Sequence, residues 1–204
     1  MESNDQKASY GIGLNVGTQI ADTRDRLDLA AFMRGIEDAL QSNEPAVDPQ
    51  ELQTVLQAFA QELQAEAAAA AETAGGENAA AGEAYLAENG AKEGVTTTAS
   101  GLQYEVITEG EGVKPTGDDQ VRLHYRGTLI DGTEFDSSYG GEPAVFGAGQ
   151  LIAGFTEALL LMSPGSHYRV VIPSDMAYGA GGSGRNIGPN ATLIFEIELI
   201  EVVQ

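Results

Sequence analysis

The residue types change character near position 94, and no single regular architecture accommodates both sides of that change. Up to Glu93 the chain is dominated by alanine, glutamate, glutamine and leucine, whereas β-branched residues, aromatics and glycine turns take over afterwards. Two domains of different class are therefore expected within the 204 residues, a length that also suits one large domain. The division predicted is a helical domain over residues 1–66, an Ala/Glu/Gly-rich connecting helix over 67–93 and a sheet domain over 94–204. Hydrophobic content of 42% with 20% charged residues supports a packed core and argues against global disorder.

The first half carries helix-start chemistry. Asp48 stands at the N-cap, Pro49 at the first helical position and Glu51 three residues after the cap, and Leu52, Val55, Leu56, Phe59 and Leu63 follow along one stripe. An earlier helix follows Asp28, with Leu29, Phe32, Met33, Ile36 and Leu40 on one face, and a first one is expected over Ala8 to Ala21. Three such helices bury little surface by themselves, so they are expected to borrow a partner's. Gly13 and Gly17, four apart, suit a close helix crossing. "GIGLNVG" is not a dinucleotide loop, because its third glycine is one position late and no strand precedes it.

Residues 64–93 favour helix by composition, but Gly75, Gly76 and Gly82 oppose it at about 1 kcal/mol each against alanine. A bend or break is expected at Gly75–Gly76. A helix continuing from Pro49 to Asn89 would span ~60 Å at ~1.5 Å per residue and hold two domains apart.

The second half reads as strands. "GLQYEVI", "QVRLHYRGTL", "SHYRVVIP" and "ATLIFEIELIEV" alternate, most clearly where Leu193, Phe195, Ile197 and Leu199 interleave with Glu196 and Glu198. One helix is expected from about Ile152 to Met162, ending at "SPG". An antiparallel sheet folded on one short helix is the corresponding α+β solution.

Thirty-one acidic against ten basic residues give a net charge of −21, which repels nucleic acid and anionic lipid. The same charge fits simple solubility, or, with just three lysines, adaptation to a salty interior. Without cysteine there is no disulfide, thiolate metal site or cysteine nucleophile. "MESNDQKASYGIG" has neither the basic nor the apolar region of a signal peptide, and no run approaches the ~20 apolar residues of a spanning helix. A cytoplasmic protein is the expectation, or a periplasmic one if the chain has been trimmed.

Common catalytic chemistries find no support. His124 and His167 lack metal-ligand spacing and read as strand residues, so no metal or other cofactor is expected. "AYGAGGSGRNIGPN" lacks the lysine and helix of a phosphate loop. What remains is aromatic: Tyr125, Phe135, Phe146, Phe155, Tyr178 and Phe195 are spread over the second half, either as core or as the wall of a site. In "VRLHYRGTLIDGTEFDSS", Asp131-Gly132 suits a tight primed turn. Val121, Leu123 and Tyr125 share one face, while a regular return strand points Phe135 and Asp136 to opposite sides. "FDSS" must bend or bulge for Tyr125, Phe135 and Asp136 to meet.

Three ordered blocks, "VRLHYRGTLIDGTEFDSS", "LIAGFTEALLLMSPGSHYRVVIPSDMAYG" and "IGPNATLIFEIELIEV", resemble the FKBP-type peptidyl-prolyl cis-trans isomerases over about Ser100 to Gln204. The helical half, with "ASYGIGLNVGTQI", resembles the dimeric bacterial subgroup that includes macrophage infectivity potentiator-like proteins. The resemblance implies a twisted antiparallel sheet wrapped on the short helix, with an apolar pocket between. It implies Asp136, Tyr125 and Tyr178 as catalytic residues, and Phe135, Phe146, Leu151, Ile152, Phe155, Ile187 and Phe195 as substrate-binding residues. Phe155 stands where members of that family often have tryptophan. Proline-containing peptides and unfolded proteins are the implied substrates, a homodimer through the N-terminal helices the implied assembly, and macrolides the implied inhibitors. The competing expectations are a holdase or peptide-binding module with little turnover, or a passive dimerisation protein.

Overall fold

The computed structural model describes residues 1–203, with Asp22 described by its backbone alone. Its contacts divide the chain into Met1–Glu62 and Leu63–Gln204. The first unit contains helices α1 (Asn4–Gln19) and α2 (Leu29–Gln41) and the start of α3 (Pro49–Gly90). Helix α1 begins four residues before the expected Ala8 because Ser3 and Gln6 form a reciprocal cap, each accepting the other's backbone N–H. Asp28 caps α2 by accepting the Ala31 N–H at 3.0 Å, and Asp48 caps α3 by accepting from Gln50 and Glu51. No residue of α1 or α2 is buried, and Leu29, Met33 and Leu40 are exposed along the apolar stripe of α2.

The second unit is a seven-stranded antiparallel sheet: β1 (Val95–Thr97), β2 (Gln103–Thr108), β3 (Gln120–Leu129), β4 (Glu134–Ser137), β5 (Ala144–Gly147), β6 (His167–Ile172) and β7 (Leu193–Val203). The order is β1-β2-β6-β7-β3-β4, with β5 beside the first part of β3. Helix α4 (Ala153–Leu161) buries Gly154, Phe155, Ala158 and Leu159 against the sheet. Gly154 is required there, since a Cβ would lie 2.3 Å from Ile172 Cγ2. The inward residues of β7, Leu193, Phe195, Ile197 and Leu199, are each at most 5% exposed, and burial of such side chains contributes roughly 1.5–3 kcal/mol apiece.

The break expected at Gly75–Gly76 does not occur: α3 is helical without interruption from Pro49 to Gly90. Packing within the second unit explains this. Gly75 and Gly82 are buried, and Cβ atoms added to them would lie 3.2 Å from Pro189 Cβ and 2.4 Å from Thr192 Oγ1. Further along, Arg169 donates to the Tyr85 hydroxyl at 2.8 Å, and buried Asn89 donates to Gln103 Oε1 at 2.9 Å. Tertiary contact thus overrides the weak helix propensity of glycine. Gly76 is different, being exposed with nothing within 4 Å of an added Cβ. Gly76→Ala should therefore stabilise the second unit by about 1 kcal/mol, whereas Gly82→Ala should destabilise it. Thermal unfolding of both variants checks this pair of opposite signs.

The turn after β3 is not the primed two-residue turn expected at Asp131-Gly132. The Gly132 N–H donates to Leu129 O at 3.0 Å, and Gly132 alone in the turn has positive φ, at 88°. Asp131 Oδ1 accepts the Thr133 N–H at 2.9 Å, an Asx-type bond across the turn, and Asp131 does not share the positive φ of Gly132. A glycine bulge closing a longer hairpin turn results.

Candidate functional site

Strand β3 presents Tyr125 towards α4, and its neighbour β4 carries one residue too many for regular pairing. Gly127 pairs with Asp136 but Thr128 pairs with Glu134, so Phe135 is the extra residue of a β-bulge. The bulge places Phe135 and Asp136, adjacent in sequence, on one wall. Ser138 extends the pairing past the strand end: its N–H donates to Tyr125 O at 3.0 Å, and its Oγ accepts the Tyr125 N–H at 2.9 Å.

Tyr125, Phe135, Asp136, Phe146, Leu151, Ile152, Phe155, Tyr178 and Phe195 line one cavity of about 190 Å³. Ile187 does not join them; it is buried in the adjoining core. Phe155 and Phe195 form the floor, 4% and 5% exposed, while Tyr178 on the rim is 41% exposed. The aromatic residues thus serve as core on one side and cavity on the other. Successive rings meet edge to face: Phe155 and Phe195 at 5.0 Å, Phe135 and Phe195 at 5.6 Å, and Tyr125 and Phe155 at 6.2 Å. Drug-sized ligands occupy sites of roughly 300–1,000 Å³, so this smaller cavity suits a compact apolar ring.

One polar pair sits in the wall. The Tyr125 hydroxyl donates to Asp136 Oδ2 at 2.6 Å. Burial first, then that hydrogen bond and the Asp136 charge, push the Tyr125 hydroxyl up to about 12, so it remains a protonated donor at neutral pH. At the cavity edge Ile152 precedes α4 without any side-chain cap. Among the described residues, no group of three or more His, Cys, Asp or Glu is placed to hold a metal ion.

The full chain aligns with relatives in both halves. Residues 5–106 match the domain amino terminal to FKBP-type peptidyl-prolyl isomerase, and residues 111–200 match the FKBP-type peptidyl-prolyl cis-trans isomerase family. The FKBP-type 22 kDa peptidyl-prolyl cis-trans isomerase of Escherichia coli strain K12 is 45% identical, over 97% of this chain and 95% of the relative. This chain belongs to the FKBP-type peptidyl-prolyl cis-trans isomerases. The outer membrane protein MIP of Legionella longbeachae is 39% identical over 99% of this chain and 88% of its own. The crystal structure of FkpA from Escherichia coli shares the fold at a TM-score of 0.73 with 35% identity, covering 99% of this chain and 98% of that one. The chain is thus a two-domain bacterial-type FKBP isomerase related to both. No helix among its described residues is long and apolar enough to cross a membrane.

Two residues that support the cavity wall were not found from the sequence. Gly127 faces the rings directly, since a Cβ there would lie 2.6 Å from Phe135 Cε2 and 2.8 Å from Phe195 Cε1. A glycine inside a strong strand pattern is the available signal of such close approach. Ser138 carried no signal beyond a polar residue after a strand.

Proposed function

We propose that this isomerase accelerates rotation about X-Pro bonds in the cavity between β3, β4, β7 and α4, by desolvating the amide and holding its flanking carbonyls. The supporting observation is the Tyr125–Asp136 hydrogen bond set into an otherwise apolar wall. Amide resonance opposes rotation with a barrier of roughly 18–20 kcal/mol. The planar amide is more charge-separated than the twisted one, so removal from water costs the ground state more than the transition state. The proline ring rests on Phe155, flanked by Tyr125, Phe135 and Phe195. The Ile152 N–H and the Tyr178 hydroxyl anchor substrate carbonyls. Asp136 orients Tyr125 and offers its charge to the twisted amide, while Phe146 and Leu151 close the wall and Ile187 supports it from the core.

In this reading residues 94–204 are the catalytic domain, 67–93 the connector and 1–66 the dimerisation domain. Within the first unit, Ile12, Gly13, Val16, Gly17, Phe32 and Met33 contribute to an apolar groove of about 770 Å³. Gly13 and Gly17 leave open space where a Cβ would stand. A second copy of the chain covers this face, and the paired catalytic domains then hold unfolded proteins as a chaperone does.

A proline-peptide isomerisation assay tests the site. Phe135→Ala should lose at least about tenfold in kcat/KM, and Asp136→Ala and Tyr178→Phe about tenfold each, as expected for loss of a desolvated contact or hydrogen bond. Full activity in folded Phe135→Ala protein would sink the cavity reading. Low turnover in the unaltered chain with intact peptide binding would instead favour a binding module.

A further inference from the structure

The segment between β6 and β7 supplies Tyr178 to the cavity and Ile187 to the core, and helix α3 of the same unit grips it near its far end. Asn78 Nδ2 donates to Pro189 O at 2.9 Å, and Asn190 Nδ2 donates to Gly75 O at 3.2 Å. The approach is close: a Cβ on Gly188 would lie 3.0 Å from Asn78 Nδ2, and one on Gly75 would lie 3.2 Å from Asn190 Nδ2. A side chain at 75 would require Pro189 and Asn190 to give by a few tenths of an ångström, and one at 82 would displace the Thr192 side chain.

Asn190 joins this grip to the cavity. Its side chain reaches helix α3, while its own N–H donates at 2.8 Å to the carbonyl of Gly179, the residue after Tyr178. It is one of two non-glycine residues with positive φ among those described, at 54°, a conformation asparagine tolerates better than most. Within the segment, Ser183 and Ile187 bond to each other in both directions, at 2.8 and 3.2 Å, which stiffens the path between its two ends. A continuous line of contacts thus runs from Gly75 and Asn78 through Asn190 and Gly179 to Tyr178.

We propose that Asn78 and Asn190 are positioning residues of the isomerase, through which helix α3 sets the location of Tyr178 at the cavity rim. The connecting helix is on this account part of the catalytic apparatus as well as a spacer. The inference rests on the reading above in which Tyr178 contacts substrate. Two substitutions separate the tie from general packing. Asn190→Gly keeps the left-handed backbone and removes only the donor to α3. Asn78→Asp keeps the shape but sets an acceptor against the Pro189 carbonyl.

The test uses the full chain, a proline peptide and amide hydrogen exchange. Each variant should lose about fivefold to tenfold in kcat/KM, the scale of one positioned hydrogen bond, with faster exchange over residues 179–192. In a Tyr178→Phe background the same substitutions should cause no further loss, because their effect passes through that hydroxyl. Asn89→Ala, which breaks the separate contact between α3 and Gln103, should lower the unfolding temperature and leave kcat/KM unchanged. Unaltered kcat/KM in both asparagine variants overturns the proposal, as does an equal loss with and without the Tyr178 hydroxyl. Phe135→Ala in parallel distinguishes the two failures: its full activity refutes the cavity, whereas its loss beside normal asparagine variants refutes the positioning role alone.

Discussion

Gly127→Ala is expected to reduce isomerase activity about 100-fold, the scale associated with displacing a reacting arrangement by ~1 Å. The added methyl would lie 2.6 Å from two atoms of Phe135 and 2.8 Å from one of Phe195. Phe195 has little room to yield, whereas Phe135 is only half-buried. Phe195 is 5% exposed and meets Phe155 at 5.0 Å, while Phe135 meets Phe195 edge to face at 5.6 Å. The relief available is for Phe135 to swing outward, which opens the cavity wall beside Asp136. Overpacking of this kind costs about 1–3 kcal/mol, so the chain should still fold. Peptide isomerisation and thermal unfolding of the variant give the two readouts. Wild-type kcat/KM in Gly127→Ala would show that close stacking of Phe135 on β3 is not needed for turnover.

That prediction was out of reach from the sequence, and the reason is physical. Alternation specified β3 as Gln120–Leu129, both ends included, because a ten-residue run with one buried face leaves no other register. Strands β1 and β5, three and four residues long, escaped notice because so short a run shows no period. The bulge at Phe135 lies between these cases. Periodicity required some irregularity in "FDSS" for Asp136 to meet Tyr125, but pairing with β3 decides which residue is extra. Family resemblance gathered the site residues across distant blocks, and nine of the ten line one cavity; Ile187 lies behind it because its segment turns into the core.

The glycines of α3 teach the opposite lesson. Propensity weighed Gly75, Gly76 and Gly82 equally against helix and placed a bend or break at the Gly75–Gly76 pair, yet Gly75 and Gly82 are buried contacts to Pro189, Asn190 and Thr192 and Gly76 is exposed. A glycine that ends a helix and one that lets a helix lie close to its neighbour look alike in sequence. Spacing offers a partial clue, since Gly75, Asn78, Gly82 and Asn89 recur at helical intervals along one face.

If the proposed dimer closes over the groove of the first unit, Met33→Glu is expected to reduce it from two chains to one in sedimentation, and to separate peptide isomerisation from action on unfolded proteins. Met33 is 54% exposed in the single chain, so glutamate is tolerated by the fold itself. In a dimer closed over the groove the same carboxylate loses its water in a wall formed largely by apolar residues such as Ile12, Val16, Phe32 and Ile36. The cavity around Phe155 lies in the other unit and shares no lining residue with the groove. Isomerisation of a short proline peptide should therefore stay within about twofold of normal, because one cavity acts on one bond. An unfolded protein with several apolar segments is different: two linked domains raise its local concentration, and avidity gains of about 10²–10⁴ are available when geometry allows both to engage. Acceleration of refolding should fall by at least about tenfold in the monomeric variant, a conservative fraction of that gain. Equal refolding rates from monomer and dimer would show that each catalytic domain handles its clients alone, and that the apolar face of α2 serves assembly without contributing to chaperone action.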